Sequence, residues 1–140
     1  EIVEHKVKAA YRSLNVPVVV EDTRLTFHAL GKLPGPFIKF FLEELGPSGL
    51  CNLVMNYEDK SATAGAAIAY YDGKTLKVFE SSLEGVIVES PQGESDFGWN
   101  PVFQPNGSDK TMAEMTEEEF EVYYKKVKPF DQIAKFLKSL

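Results

Sequence analysis

Two adjacent carboxylates, Glu21 and Asp22, follow the apolar run Pro17-Val18-Val19-Val20 and precede Thr23. A short β-branched run of this kind reads as a buried strand. Carboxylates at the C-terminal end of such a strand lie where α/β proteins gather ligands. The same residues have a plainer use, because Asp22 or Thr23 at a strand end can cap the next turn. A second stretch with chemical character is the polar, glycine-bearing loop of residues 90–100, which carries two aromatic side chains, Phe97 and Trp99. The remaining reactive types are sparse. His5 and His28 have no motif around them, and Cys51 lies in the apolar run Leu50-Cys51-Asn52-Leu53-Val54-Met55, which suits a buried structural thiol. Lys125-Lys126-Val127-Lys128 reads as a solvated helix face.

The elements that must position these residues follow from periodicity. Ile2, Val3, Val7, Ala10 and Leu14 recur at helical spacing, so residues 1–14 form a helix. Pro36 suits a first helical position, and the apolar face of Phe37, Ile38, Phe40, Phe41 and Leu45 predicts a helix that Gly46 ends. Its spacing assigns Phe37, Phe41 and Leu45 to the packed side. A short helix follows near residues 48–55. Residues 61–71 are alanine-rich, but Asp72-Gly73 is a hairpin signal with residues 75–79 as partner, which makes both strands. Residues 85–89 form another strand. Thr116 with Glu119 makes a capping box that starts a helix, the acids of 117–121 favour its N-terminus, and Pro129 breaks the pattern before a last helical segment of residues 130–140. The fold expected is α/β, a mixed sheet flanked by helices, in one domain over residues 1–140, with Val18–Val20 as an inner strand and Asp22 at its end beside a cleft.

Composition narrows the function classes. The chain has 140 residues, 15 basic and 21 acidic, for a net charge of −6. That balance argues against broad DNA or RNA binding, which needs a positive surface. It leaves room for a nucleotide, since a few local lysines can hold a triphosphate. One cysteine permits no intrachain disulfide and suits a reducing, cytoplasmic compartment. No apolar run is long enough to span a membrane. The first residue is Glu1 rather than Met, so a processed or trimmed chain is expected.

Five stretches in order carry a family resemblance: Val20-Glu21-Asp22-Thr23; Leu33-Pro34-Gly35-Pro36-Phe37-Ile38-Lys39-Phe40-Phe41-Leu42; Glu58-Asp59-Lys60-Ser61-Ala62; Phe97-Gly98-Trp99-Asn100-Pro101-Val102-Phe103-Gln104-Pro105; and Lys110-Thr111-Met112-Ala113-Glu114-Met115-Thr116. Together they resemble the inosine triphosphate (non-canonical purine nucleoside triphosphate) pyrophosphatases. The resemblance implies an elongated α/β, anticodon-binding/Maf-like architecture, usually a homodimer. It also implies magnesium-dependent hydrolysis of inosine, deoxyinosine and xanthosine triphosphates to monophosphate and pyrophosphate. By the same resemblance Lys6 and Lys39 match phosphate-facing lysines. Asp22 matches the carboxylate assigned to metal or water activation, and Phe97 matches the ring that stacks on the base. Gly98, Trp99 and Asn100 shape that loop.

The sequence also departs from the family pattern. The family opens with a strand, a Ser/Thr-Gly-Asn-x-x-Lys phosphate loop, a helix and a strand, and that unit does not occur in these 140 residues. A magnesium-binding glutamate of the family lies in the same missing stretch. Arg24 stands where a small residue is usual, and Asn100 where an aspartate is usual. Phe120 replaces a lysine, and Tyr124, Lys125 and Lys126 replace the Ser-His-Arg triplet that reads the purine 6-oxo group. These departures lead to the expectation of a catalytically impaired relative, retained as a binding or structural subunit with a purine nucleoside triphosphate, a second copy or an assembly protein as partner. The alternative is an active pyrophosphatase whose phosphate loop lies outside this chain.

Overall fold

A computed structural model describes residues 2–94 and 98–140. Helix α1 (Ile2–Leu14) leads into strand β1 (Val18–Phe27). A short turn of 3-10 helix, His28–Leu30, and the two-residue strand β2 (Pro34–Gly35) come next, then helix α2 (Ile38–Leu53). Strands β3 (Ser61–Tyr71) and β4 (Leu76–Ile87) form a long hairpin, and β5 (Phe103–Pro105) follows the 90–100 region. Helices α3 (Glu117–Val127) and α4 (Phe130–Lys138) close the chain. The strands make one five-stranded sheet in the order β2-β1-β3-β4-β5, with every pair antiparallel. The α/β class, with helices on both faces of a sheet, is as expected.

Strand alternation divides the sheet into two unlike faces. Leu25 and Phe27 of β1, Ala62 and Ala64 of β3, and Ile87 of β4 point to the side where Ile38, Leu50, Val102, Phe103 and Val127 complete the main core. Ile133 and Phe136 of α4 extend that side over Ile68 and Tyr70. Among the described residues the other side carries α1, with Val3 and Val7 buried on Val18, Ala67 and Ala69. Beyond the reach of α1 this second face is polar, with Asp22, Arg24, Thr63, Gly65, Ser82 and Glu84 in register across β1, β3 and β4. The alanines of β3 let helices approach the sheet closely on both sides.

Several local signals act as expected. Asp72 Oδ1 accepts from the main-chain N–H of Lys74 and Thr75 (2.9 and 2.7 Å), which closes the β3–β4 hairpin. Thr116 and Glu119 satisfy each other's main-chain N–H groups at the start of α3. Gly46, at φ +69°, leaves helical geometry inside α2, and only glycine adopts that conformation without strain, so the helix is in effect the two pieces expected.

Other expectations need correcting. β1 does not stop at Val20 but continues for ten residues, so Asp22 is mid-strand, opposite Ala67, and not at a strand end. Nor is Val18–Val20 an inner strand. β2 reaches only Leu25 and Thr26, so among the described residues the first part of β1 has a strand on one side only. Polar residues on a sparsely covered face resemble a turn when read in isolation. For the same reason residues 75–79 and 85–89 were expected as separate strands, although Glu80-Ser81-Ser82-Leu83-Glu84 joins them into β4. On α2 the packed side is Ile38, Phe41 and Leu42, while Phe37, Phe40 and Leu45 are exposed. Lys128 is buried rather than solvated.

Candidate functional site

The sequence-nominated residues fall on both faces of the sheet. Asp22 projects to the α1 side. Its carboxylate is 12% exposed, and Oδ2 is buried and accepts no hydrogen bond from a described residue. The nearest countercharge is Arg24, two residues along the strand and therefore on the same face, with Nη2 3.5 Å from Oδ2. Gly65 lies opposite Arg24 in β3, and a Cβ there would come within 2.9 Å of the Ser81 main-chain oxygen, so the strands approach too closely at this point for a side chain. Arg24, Gly65, Ser82 and Glu80 line a shallow concavity of about 280 Å³. Lys6 joins this neighbourhood from α1, its Nζ donating to the Glu21 carbonyl at 2.5 Å.

Among the described residues Asp22 is by itself a poor holder for a divalent cation. Magnesium needs near-octahedral oxygen ligands and is commonly held by one or two carboxylates together with water and phosphate oxygens. No group of three or more His, Cys, Asp or Glu side chains able to hold a metal occurs among the described residues. Among the described residues the buried side-chain oxygen without a hydrogen bond is Asp22 Oδ2, and it already has a guanidinium beside it. A metal approaching that oxygen would meet the like charge of the guanidinium.

On the opposite face the arrangement is tighter. Lys128, whose side chain is 9% exposed, donates to Glu21 Oε1 at 2.5 Å and to Thr23 Oγ1 at 2.8 Å. A buried ammonium requires such partners. Its Nζ also lies 5.9 Å from the centre of the Tyr124 ring. Burial, then the charges of Glu21 and Glu121, push the Tyr124 phenol above its ordinary value and keep it neutral. Lys128 is therefore a polar residue that sequence reasoning missed, having placed it on a solvated helix face. The only signal available was Lys128 immediately after the buried Val127 and before Pro129.

Tyr124 links this ion pair to a concavity of about 410 Å³, lined by Asn100, Met112, Met115, Phe120 and Tyr124, with Glu94, Ala113 and Glu117 around it. Phe120 and Tyr124 stand one helical turn apart on α3 and stack, ring centres 5.0 Å apart and planes at 23°. Asn100 is fixed by its main chain, whose carbonyl accepts from Ala113 N–H at 3.2 Å. Trp99 packs edge-on against Phe103 at 5.6 Å, as part of the core. Gly98, at φ +59°, sits in a turn that abuts Leu42, three residues beyond Lys39 on α2. Lys39 itself is exposed in the first turn of that helix. Phe97 lies outside the described residues. The structure thus gathers Gly98, Trp99 and Asn100 on the three-helix side, and Asp22 points to the other. Cys51 is buried, and burial pushes its thiol up, in keeping with a structural role.

With this geometry in hand, comparison with known proteins is informative. The sequence profile of the Ham1 family matches residues 1–136. The inosine triphosphate pyrophosphatase of Yarrowia lipolytica is 46% identical over 134 residues, covering 94% of this chain and 71% of the relative. That of Schizosaccharomyces pombe is 46% identical over 121 residues, covering 85% and 64%. That of Candida albicans is 40% identical over 141 residues, covering 99% and 69%. The chain thus spans about two thirds to seven tenths of these relatives. Among solved structures, the Staphylococcus aureus Ham1 protein superposes with a TM-score of 0.83 at 26% identity, over 98% of this chain and 74% of that one. A nucleoside-triphosphatase / dITP/XTP pyrophosphatase from Mycobacterium abscessus superposes with a TM-score of 0.79 at 23% identity, over 94% and 71%, a likeness of fold. The profile match over nearly the whole chain, and the curated relatives at 40–46% identity, make this chain a member of the Ham1 family, the family of the inosine triphosphate pyrophosphatases.

Proposed function

We propose that this chain is a catalytically impaired member of its family, which keeps the scaffold and a base-sized concavity as a binding or structural subunit. The observation that carries the proposal is the Arg24–Asp22 contact: the nominated catalytic carboxylate has a guanidinium nitrogen 3.5 Å away and faces away from the Asn100–Phe120–Tyr124 concavity. Phosphoryl chemistry of this kind relies on positioned charge. Loss of one preorganised electrostatic group commonly costs about 10²–10³ in rate. Lys6 and Lys39 would remain as phosphate-facing cations, and magnesium, if required, would have to find ligands beyond Asp22. The 140 residues act as one domain in this reading. A second copy is the partner that suits the exposed Phe37, Phe40 and Leu45 of α2.

A second reading is an active purine nucleoside triphosphate pyrophosphatase whose phosphate loop lies outside this chain. The 46% identity to relatives named for that activity favours it. The two readings part in one assay, pyrophosphate release from inosine triphosphate with magnesium, run beside the Yarrowia lipolytica enzyme. Impairment predicts a rate lower by about 10² or more; a rate within tenfold of that enzyme would overturn it.

A further inference from the structure

We infer that Asn106 is a site of spontaneous covalent modification, where the Gly107 nitrogen closes on the side-chain amide, ammonia is lost, and aspartate and isoaspartate take the place of asparagine. The site is the turn that follows β5. Ser108 N–H donates to the Pro105 carbonyl at 3.1 Å, and Gly107, at φ +89°, stands third in the turn, as glycine does in a type II turn. Asn106 and Gly107 are both exposed. In the reaction the Gly107 N–H gives its proton to hydroxide and the nitrogen bonds to Asn106 Cγ. The bond from Cγ to the amide nitrogen breaks, and that nitrogen takes up a proton and leaves as ammonia. Water then opens the cyclic imide, at the side-chain carbonyl to give aspartate or at the main-chain carbonyl to give isoaspartate.

The fold leaves this step open. Neither the Gly107 N–H nor the Asn106 carbonyl makes a main-chain hydrogen bond to a described residue. The peptide plane between them can therefore rotate towards the side chain, while Asn106 N–H stays on the Glu84 carbonyl (3.0 Å) and Ser108 N–H on that of Pro105. Glycine at 107 permits the rotation, having no Cβ to restrict its backbone angles. The surroundings are uncrowded, since a Cβ built there would meet nothing nearer than the Tyr123 hydroxyl oxygen at 3.9 Å. The other asparagines are placed differently. Asn100 precedes Pro101, which has no N–H to lose. Asn56 precedes Tyr57, whose N–H is held by the Val54 carbonyl at 3.1 Å. Asn52 lies within α2, and Asn15 precedes the β-branched Val16. The products differ in consequence. Aspartate keeps the turn and makes the net charge of −6 more negative by one unit. Isoaspartate routes the main chain through the side chain and lengthens it by one carbon. That enlarges the ring closed by the Ser108–Pro105 bond and slackens the link from β5 to Lys110, which Glu119 anchors at 3.0 Å.

Incubation of the folded 140-residue chain in mildly alkaline buffer, followed by peptide mapping with mass spectrometry, tests this, with Asn106→Gln as the variant and circular dichroism as the check on folding. The peptide containing Asn106 should convert to its aspartate and isoaspartate forms at least about tenfold faster than any peptide containing Asn15, Asn52 or Asn56. The rate should rise with pH, because the attacking nitrogen must lose its proton. Asn106→Gln, which would have to close a larger ring, should remove most of the ammonia released. The same conversion followed in urea measures how far the fold protects the site, and the folded rate should lie within about tenfold of the unfolded one. An Asn106 that reacts no faster than the other asparagines overturns the inference. Ammonia release unchanged in Asn106→Gln, or a folded rate more than about a hundredfold below the unfolded one, overturns it equally.

Discussion

Glu21 and Asp22 are neighbours in β1 and alike in chemistry, yet strand alternation sends them to opposite faces, where each meets a base under different conditions. Glu21 meets a nearly buried Lys128 at 2.5 Å, with Thr23 as a further partner. Asp22 meets a 40% exposed Arg24 at 3.5 Å, and its inner oxygen accepts no hydrogen bond from a described residue. The first pair ties α3's C-terminal end to the sheet through residues 107 apart in sequence. The second ties a strand only to itself. An ion pair that joins distant elements and holds a nearly buried lysine is part of the scaffold. One that joins i to i+2 along a single strand, through an arginine that is 40% exposed, contributes little to stability, and its effect is local, on what can approach the carboxylate.

The largest effect expected is on the three-helix face. Phe103 is fully buried and packs on Trp99, so Phe103→Ala should lower the free energy of unfolding by about 3–5 kcal/mol in urea denaturation. A loss below about 1 kcal/mol would show that this face is not the tight one. Next comes the tight ion pair: Lys128→Ala removes a charged hydrogen-bond donor shared by two partners and should cost about 1–3 kcal/mol. A negligible change would place the two ion pairs in the same class. Thr116→Ala, which removes the side-chain acceptor at the start of α3, should cost about 1 kcal/mol by the same measurement. The smallest effect on stability belongs to the open pair. Arg24→Ala should change unfolding by no more than about 0.5 kcal/mol. It should at the same time strengthen manganese binding at Asp22 by about tenfold in a calorimetric titration. Unchanged manganese affinity would mean that Arg24 does not guard that oxygen.

The contrast also explains what could be read without a structure. Periodicity and caps were legible wherever a residue's type was set by local physics. Val3 and Val7 on α1, the Asp72-Gly73 hairpin and the Thr116–Glu119 box are of this kind. Strand continuity was not legible through Glu21-Asp22-Thr23 or Glu80-Ser81-Ser82. Polar residues there are paired in a sheet whose second face is only partly covered, and their ladder partners are 40–50 residues or about 15 residues away. Lys128 was illegible for a related reason. Its partner Glu21 comes from the far end of the chain, and a run of lysines on a helix usually faces water. Of the nominated site, the Gly98–Asn100 turn and Lys6 lie beside structured concavities or β1, while the direction of Asp22 could be known only once the strand was seen to run through it.

The central claim is that Asp22 no longer supports turnover. The most direct measurement is magnesium-dependent pyrophosphate release from inosine triphosphate by the 140-residue chain and by its Asp22→Asn variant, side by side. The account predicts the same low rate from both, indistinguishable with and without magnesium. Robust magnesium-dependent release by the chain, abolished in Asp22→Asn, would contradict it.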